Sequence, residues 1–223
     1  MASDGTQFER RADYDWGHLT EDEADDDPLA MLKRWMAEAT AEDEPEPNAM
    51  VVATVDAEGR PHARNVLLRG IGDDRRLWFF TNRNSAKGFE IDANPAVALL
   101  FSWLEQHRQI RVEGIASPLG DAESDAYWDA RPQESRVSAV ASPQSEVIAS
   151  RRQLESWVDE VRAKYGDGPV PRPPEWGGYA VTAATLEFWQ GRKSRLHDRL
   201  RYRRPEPNEA PNPAGWVVER LAP

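Results

Sequence analysis

Apolar positions recur at three- and four-residue intervals through Leu29, Leu32, Trp35, Met36 and Ala39, directly after Asp27-Pro28. A capping carboxylate followed by proline is a strong start signal, so this stretch predicts a helix. Glu42 to Pro47 is an acidic, proline-bearing linker. The period then shortens to two. Ala49–Val55 is apolar and β-branched, Asp56-Ala57-Glu58-Gly59 has turn composition, and His62–Arg69 reads as the returning strand of a hairpin. Ile71–Arg76 reads as another turn and Leu77–Thr81 as another strand. Ser85 is placed to cap a short helix that runs to Ala93 and stops at Asn94-Pro95. Ala96–Trp103 and Gln109–Ser117 predict a second antiparallel pair. Asp121–Ala130 reads as a helix and Gln144–Tyr165 as a longer one, with Ile148, Leu154, Trp157, Val158 and Val161 apolar. After a Gly/Pro-rich loop, Gly166–Pro174, the segments Gly178–Trp189, Leu200–Arg203 and Trp216–Leu221 predict closing strands.

Many short strands joined by tight turns, with helices between them, predict a mainly β protein of α+β class, antiparallel and barrel-like rather than doubly wound. No GxGxxG follows a strand and no GxxxxGK[ST] occurs, which argues against dinucleotide and P-loop folds. A length of 223 residues fits one domain with appendages. The longest apolar runs, such as Val97–Phe101, fall far short of the ~20 residues of a membrane helix, so no membrane partner is expected. There is no cysteine, which removes disulfides, thiol catalysis and thiolate metal sites. The first residues lack a basic region followed by an apolar one, and a cytoplasmic location is the expectation.

Charge is unevenly placed. Residues 1–47 hold 15 Asp and Glu against 4 Lys and Arg, which accounts for the whole net charge of −11; the remainder is neutral. Residues 1–27 are therefore expected to be an acidic, mobile segment and residues 28–223 the functional domain. Such a segment would repel phosphate backbones, so no nucleic-acid partner is expected.

Metal and hydrolytic chemistry find little support. His18, His62, His107 and His197 show no paired ligand spacing, HExxH is missing, and no GxSxG elbow occurs. Anion binding is better supported. Arg64 and Arg69 lie five apart on one predicted strand, hence on opposite faces, where they can serve two anions. Lys87 sits in the first turn of a helix, a position that attracts phosphate. Each alone also reads as an ordinary surface charge. Phe188 to Arg199 packs two aromatics, several cations and His197 into twelve residues. In extended chain Arg195, His197 and Arg199 would share a face and repel one another unless an anion lay among them; the plain alternative is a solvated basic loop.

Nine short motifs then occur in a telling order. They are Ala63–Arg69 (ARNVLLR), Phe79–Asn82, Ser85–Gly88, Arg108–Gly114, Ala130–Ser135, Ser142–Ser145, Trp176–Tyr179, Glu187–Gly191 with Arg195–Arg199, and Arg220–Pro223. In these the chain resembles the pyridoxamine 5′-phosphate oxidase family over roughly residues 28–223. The resemblance implies an FMN-binding split β-barrel flanked by helices, a homodimer with FMN at the subunit interface. The flavin contacts it implies are Arg64, Asn65, Val66, Leu67, Leu68, Arg69, Phe80, Thr81, Lys87, Gln109, Gln144, Ser145, Trp189 and Arg199. The substrate phosphate would meet Arg69, Tyr127, Arg131 and Ser135. Arg195 and His197 would lie against the pyridine ring as the catalytic pair, and Arg11 with Tyr14 would form a lid. No metal is implied.

The implied activity is oxidation of pyridoxamine 5′-phosphate and pyridoxine 5′-phosphate, with a hydride passing from C4′ to flavin N5 and dioxygen yielding hydrogen peroxide. Arginines and hydroxyl donors suit a phosphate ester, and Tyr127 on the predicted helix and Arg131 just past its end lie four apart, so they are expected to face the same way. The chain departs from the family in carrying Ala86 before Lys87, where a cation is frequent, Arg69 where lysine is common, a basic Arg192-Lys193-Ser194 approach, and its acidic first segment. Two other readings stand beside this one: a related split-barrel oxidase of the phenazine type, acting on aromatic acids without a phosphate arm, and a flavin- or haem-binding module without turnover.

Overall fold

The computed structural model describes Tyr14 and residues 17–223. The strands are β1 (Ala49–Val55), β2 (Pro61–Leu67), β3 (Gly70–Ile71), β4 (Leu77–Asn82), β5 (Ala96–Trp103), β6 (Arg108–Pro118), β7 (Trp176–Gln190), β8 (Asp198–Arg203) and β9 (Val217–Arg220). The helices are α1 (Pro28–Ala41), α2 (Ala86–Ala93), α3 (Asp121–Asp129), α4 (Gln133–Ala141) and α5 (Arg151–Tyr165). The strands form one sheet in the order β2-β1-β5-β6-β7-β4-β3, with β8 pairing β7 and β9 pairing β8. The pairs β1–β2, β3–β4, β4–β7, β7–β8 and β8–β9 are antiparallel. The chain divides into two compact units: unit 1 is Met1–Pro47, Leu100–Val112 and Thr185–Pro223, and unit 2 is Asn48–Leu99 and Glu113–Ala184.

Unit 2 is organised by aromatic packing. Trp128, Val137, Val170 and Trp176 form a buried cluster, and the Trp128 indole N–H donates to the Val170 carbonyl at 2.8 Å. Phe80, Tyr127 and Trp176 stack with nearly parallel rings, Phe80 lying 4.0 Å from Tyr127 and 5.7 Å from Trp176. The register pairs Phe80 with Gly178 across β4 and β7, and a Cβ at Gly178 would stand 2.8 Å from the Phe80 ring. Glycine is required there so that the ring can lie over the neighbouring strand.

Unit 1 packs α1 through Leu29, Met31, Leu32, Trp35 and Ala39. The Asp27 carboxylate accepts from the Leu29 N–H at 3.0 Å, and Pro28 occupies the first turn, the start that the sequence predicts. Trp35 meets Phe188 edge-on at 5.3 Å, and the Tyr202 hydroxyl donates to the Asp25 carbonyl at 2.7 Å. Residues 17–27 form a strap tied by polar contacts. Arg192 donates to the Gly17 carbonyl at 3.1 Å, the Leu19 N–H donates to Asp198 at 3.1 Å, and Arg220 bridges Glu21 at 2.6 Å and Asp198 at 2.9 Å.

Four expectations need correction. Residues 133–141 form α4, which the sequence reading leaves irregular. The helix expected from Gln144 starts at Arg151, capped by Ser150, whose hydroxyl accepts from Gln153 at 3.2 Å; Gln144 and Ser145 lie outside it, Ser145 with φ 77°. Ser85 does stand at the start of α2 but makes no capping bond, because its hydroxyl donates back to the Asn82 carbonyl. Arg195 is not in extended chain: Lys193–Arg195 is a 3₁₀ turn in which Ser194 and Arg195 have φ of 58° and 63°.

Candidate functional site

In unit 2 a cavity of about 330 Å³ is lined by Arg64, Asn65, Val66, Leu67, Arg69, Phe80, Thr81, Lys87, Tyr127, Arg131 and Gln144. Four of these are cations and none is a carboxylate. Arg64 and Arg69 share this cavity, contrary to the opposite-face expectation. β2 ends at Leu67, and Leu68 and Arg69 donate their N–H groups to Asn48 and Trp78, so strand parity no longer applies at Arg69.

Each cation is held. Lys87 is 8% exposed and donates to Thr81 at 3.1 Å, Ser85 at 3.2 Å and Gln144 at 3.1 Å, all neutral oxygens. Burial lowers its pKa and the Arg64 charge adds to this, against a smaller opposing pull from Glu90. Arg64 pairs with Glu90 at 2.7 Å. Burial works against ionisation of Glu90, but bonds from Thr54 and Arg64 outweigh it and its pKa falls below the ordinary value. Arg69 lies over the Tyr127 ring at 5.8 Å, and Arg131 over Trp176 at 4.9 Å. Burial lowers the Arg131 pKa, opposed by Tyr127. Arg131 also donates to the Ser135 carbonyl at 3.0 Å, and both line a larger neighbouring cavity of about 980 Å³.

The other predicted residues fall as follows. Leu68 is buried in the core of unit 2 at 6% exposure, and Ser145 is exposed. Gln109, Trp189, Arg195, His197 and Arg199 belong to unit 1. There Arg199 pairs with Glu187 at 2.8 Å, and Glu187 also receives Arg111 at 2.8 Å. His197 lies 4.7 Å from Trp189 and 5.6 Å from Tyr14, and Tyr14 meets His107 edge-on at 4.4 Å. Arg195 is exposed on its turn. Arg11 lies outside the described residues.

The sequence reading missed Glu90, Glu187, His107 and Trp176 as partners. For Glu90 one signal existed: it follows Lys87 by three on α2, so the two share a helix face. Among the described residues no cluster of His, Asp and Glu suits a metal ion, and no helix is long and apolar enough to cross a membrane.

This arrangement, an antiparallel α+β sheet protein with a cation-lined cavity, matches known proteins along nearly its whole length. A family model described as pyridoxamine 5′-phosphate oxidase covers residues 36–165, and one described as the pyridoxine 5′-phosphate oxidase C-terminal dimerisation region covers residues 176–223. The pyridoxine/pyridoxamine 5′-phosphate oxidase of Cupriavidus taiwanensis is 51% identical over 213 residues, 96% of this chain and 97% of its own. That of Burkholderia multivorans is 50% identical over 98% and 99% of the two chains. Among solved structures, PhzG from Burkholderia lata, in complex with tetrahydrophenazine-1-carboxylic acid, is 33% identical over 92% of this chain and 98% of its own, with a TM-score of 0.82. A related FMN-binding protein from Nostoc punctiforme, 18% identical over 88% of this chain and 96% of its own with a TM-score of 0.65, supports the split-barrel fold alone. The chain belongs to the pyridoxamine 5′-phosphate oxidase family. It is an oxidoreductase of that family and carries its C-terminal dimerisation region.

Proposed function

We propose that the chain oxidises pyridoxamine 5′-phosphate and pyridoxine 5′-phosphate to pyridoxal 5′-phosphate, using FMN and dioxygen, as a homodimer in the cytoplasm. Residues 28–223 make the oxidase domain and residues 1–27 an acidic appendage. The observation that carries this reading is the unit 2 cavity, with Arg64, Arg69, Lys87 and Arg131 in its lining and no carboxylate there. A phosphate ester carries about 1.5–2 negative charges near neutrality and takes charge-assisted bonds from such groups.

The residues present fit a flavin phosphate: Lys87 is buried and bonded only to neutral oxygens, so its charge is uncompensated by direct contact. A bound FMN would supply the redox chemistry: N5 would take a hydride from substrate C4′ while the substrate hydroxyl or amine gives up a proton, dioxygen would take the hydride with a proton as hydrogen peroxide, and water would hydrolyse the imine formed from the amine to aldehyde and ammonia. In unit 2, Arg64 and Lys87 receive the flavin phosphate, Asn65–Leu68, Phe80, Thr81, Gln144 and Ser145 contact the remainder, and Arg69, Tyr127, Arg131 and Ser135 receive the substrate phosphate. In unit 1, Arg195 and His197 orient the substrate ring, Gln109, Trp189 and Arg199 contact flavin, and Arg11 and Tyr14 cover the ring.

The relation to PhzG favours a second reading, oxidation of an aromatic carboxylic acid. Arg69, Tyr127 and Arg131 in one cavity support the phosphorylated substrate instead. Titrating the protein with FMN and then adding pyridoxamine 5′-phosphate tests both steps. Flavin binding followed by peroxide release is expected. A protein that binds no FMN overturns the reading, and one that oxidises only an aromatic acid selects the second.

A further inference from the structure

The two ring nitrogens of His197 have different surroundings. Nδ1 accepts a hydrogen bond from the backbone N–H of Arg192 at 3.0 Å. A ring nitrogen that accepts such a bond carries no proton, so the neutral imidazole keeps its proton on Nε2. The ring is steadied by Trp189 at 4.7 Å and by Tyr14 at 5.6 Å. Arg192 is anchored too, its guanidinium donating to the Gly17 carbonyl at 3.1 Å and lying 3.7 Å from Asp198. Burial lowers the His197 pKa and the Arg195 charge lowers it further, while Asp198 pulls the other way; the net shift favours the neutral form.

We infer that the Arg192 backbone N–H locks His197 as the Nε2–H tautomer, making His197 a hydrogen-bond donor to a lone-pair atom of the substrate rather than a base. Arg192 is then a positioning residue that acts through His197. The Nε2 lone pair that a base needs is already used in the N–H bond, so no proton is taken up there. The substrate's identity rests on the oxidase reading above; the tautomer does not.

Nitrogen-15 NMR of the histidine-labelled holoprotein tests the lock directly. Of the four histidines, His197 is assigned by the signals that His197→Gln removes. The expected result is an unprotonated Nδ1 and a protonated Nε2. A protonated Nδ1, or signals averaged between the two tautomers, overturns the lock. Steady-state kinetics test the donor role. Glutamine places an amide N–H near the Nε2 position, whereas asparagine reaches only as far as Nδ1. His197→Asn is expected to lose about tenfold more kcat than His197→Gln. Equal losses, or a smaller loss in His197→Asn, overturn the donor role. The spectrum is read without substrate. A lock seen in a protein without oxidase turnover therefore overturns the functional reading alone, and turnover without a lock overturns this inference alone.

Discussion

Lys87 in unit 2 and Arg195 in unit 1 are both proposed to meet the ligands, yet they are held very differently. Lys87 is buried, with its ammonium within hydrogen-bond distance of neutral oxygens on Thr81, Ser85 and Gln144. Arg195 is exposed and stands on two consecutive residues of left-handed backbone. A group that only binds a phosphate gains from being fixed before the ligand arrives, since little freedom is then lost on binding. A group that must follow a ring whose geometry changes during reaction gains from a turn that can adjust. On the proposed reading, the contrast sets phosphate binding in unit 2 against adjustment at the Arg195 turn of unit 1.

The sharpest way to break that contrast is Lys87→Met. It removes one charge-assisted anchor and leaves the Thr81 and Ser85 hydroxyl oxygens without the Lys87 donor, whereas Gln144 Oε1 keeps the Thr81 hydroxyl at 3.0 Å. FMN affinity is expected to fall by about 2–3 kcal/mol, roughly 30- to 150-fold, measured by flavin fluorescence titration. In the wild type the lowered Lys87 pKa adds a pH signature. The bound phosphate needs the charged amine, so flavin retention declines on the alkaline side before pH reaches the ordinary lysine value of 10.5. Undiminished retention in Lys87→Met would remove the flavin phosphate from this cavity.

Arg131→Ala comes next. The substrate phosphate is unchanged during hydride transfer, so a loss of about 1.5–3 kcal/mol is expected in KM with kcat nearly preserved. Arg195→Leu has the opposite signature, a kcat lowered about tenfold with flavin content intact. If Arg195→Leu alters only KM, the division between the units fails. The smallest effect is expected for Glu21→Gln, which weakens the exposed pair with Arg220. Such pairs contribute at most about 1 kcal/mol, so thermal stability shifts little, while KM rises if the strap sets Tyr14. Bonding to Arg220 holds the Glu21 pKa down at about 2, from an ordinary 4.5. The pair is therefore complete above pH 4.5 and is lost as pH falls toward 2. Salt titration of the wild type at neutral pH is expected to reproduce the variant.

The sequence exposes some of this architecture and hides the rest for physical reasons. β1 and α1 are legible because their signals are local: a β-branched run before a turn, and a capping carboxylate before proline. α4 escapes because Gln133–Ala141 carries few large apolar side chains, burying chiefly Val137 and Ala141. The start of α5 is misplaced because the apolar period alone does not show that Pro143 and the cap at Ser150 divide the stretch. The cations of the unit 2 cavity are readable as types. Their convergence is not: Arg64 meets Glu90 across 26 residues of chain, and Lys87 meets Gln144 across 57. Strand parity misleads at Arg69 because the strand ends two residues earlier.

The Glu21–Arg220 pair also bears on synthesis. Its partners are 199 residues apart, and unit 1 is assembled from three separate stretches of chain. A ribosome adding about 5–20 residues per second delivers Arg220 roughly 10–40 s after Glu21. Until positions 188 and 202 are made, the apolar face of α1 has no Phe188 or Tyr202 to cover it, whereas every residue of unit 2 has been made by position 184. Nascent chains arrested between 184 and 202 are therefore expected to be the form most exposed to aggregation, with unit 2 made and α1 still uncovered.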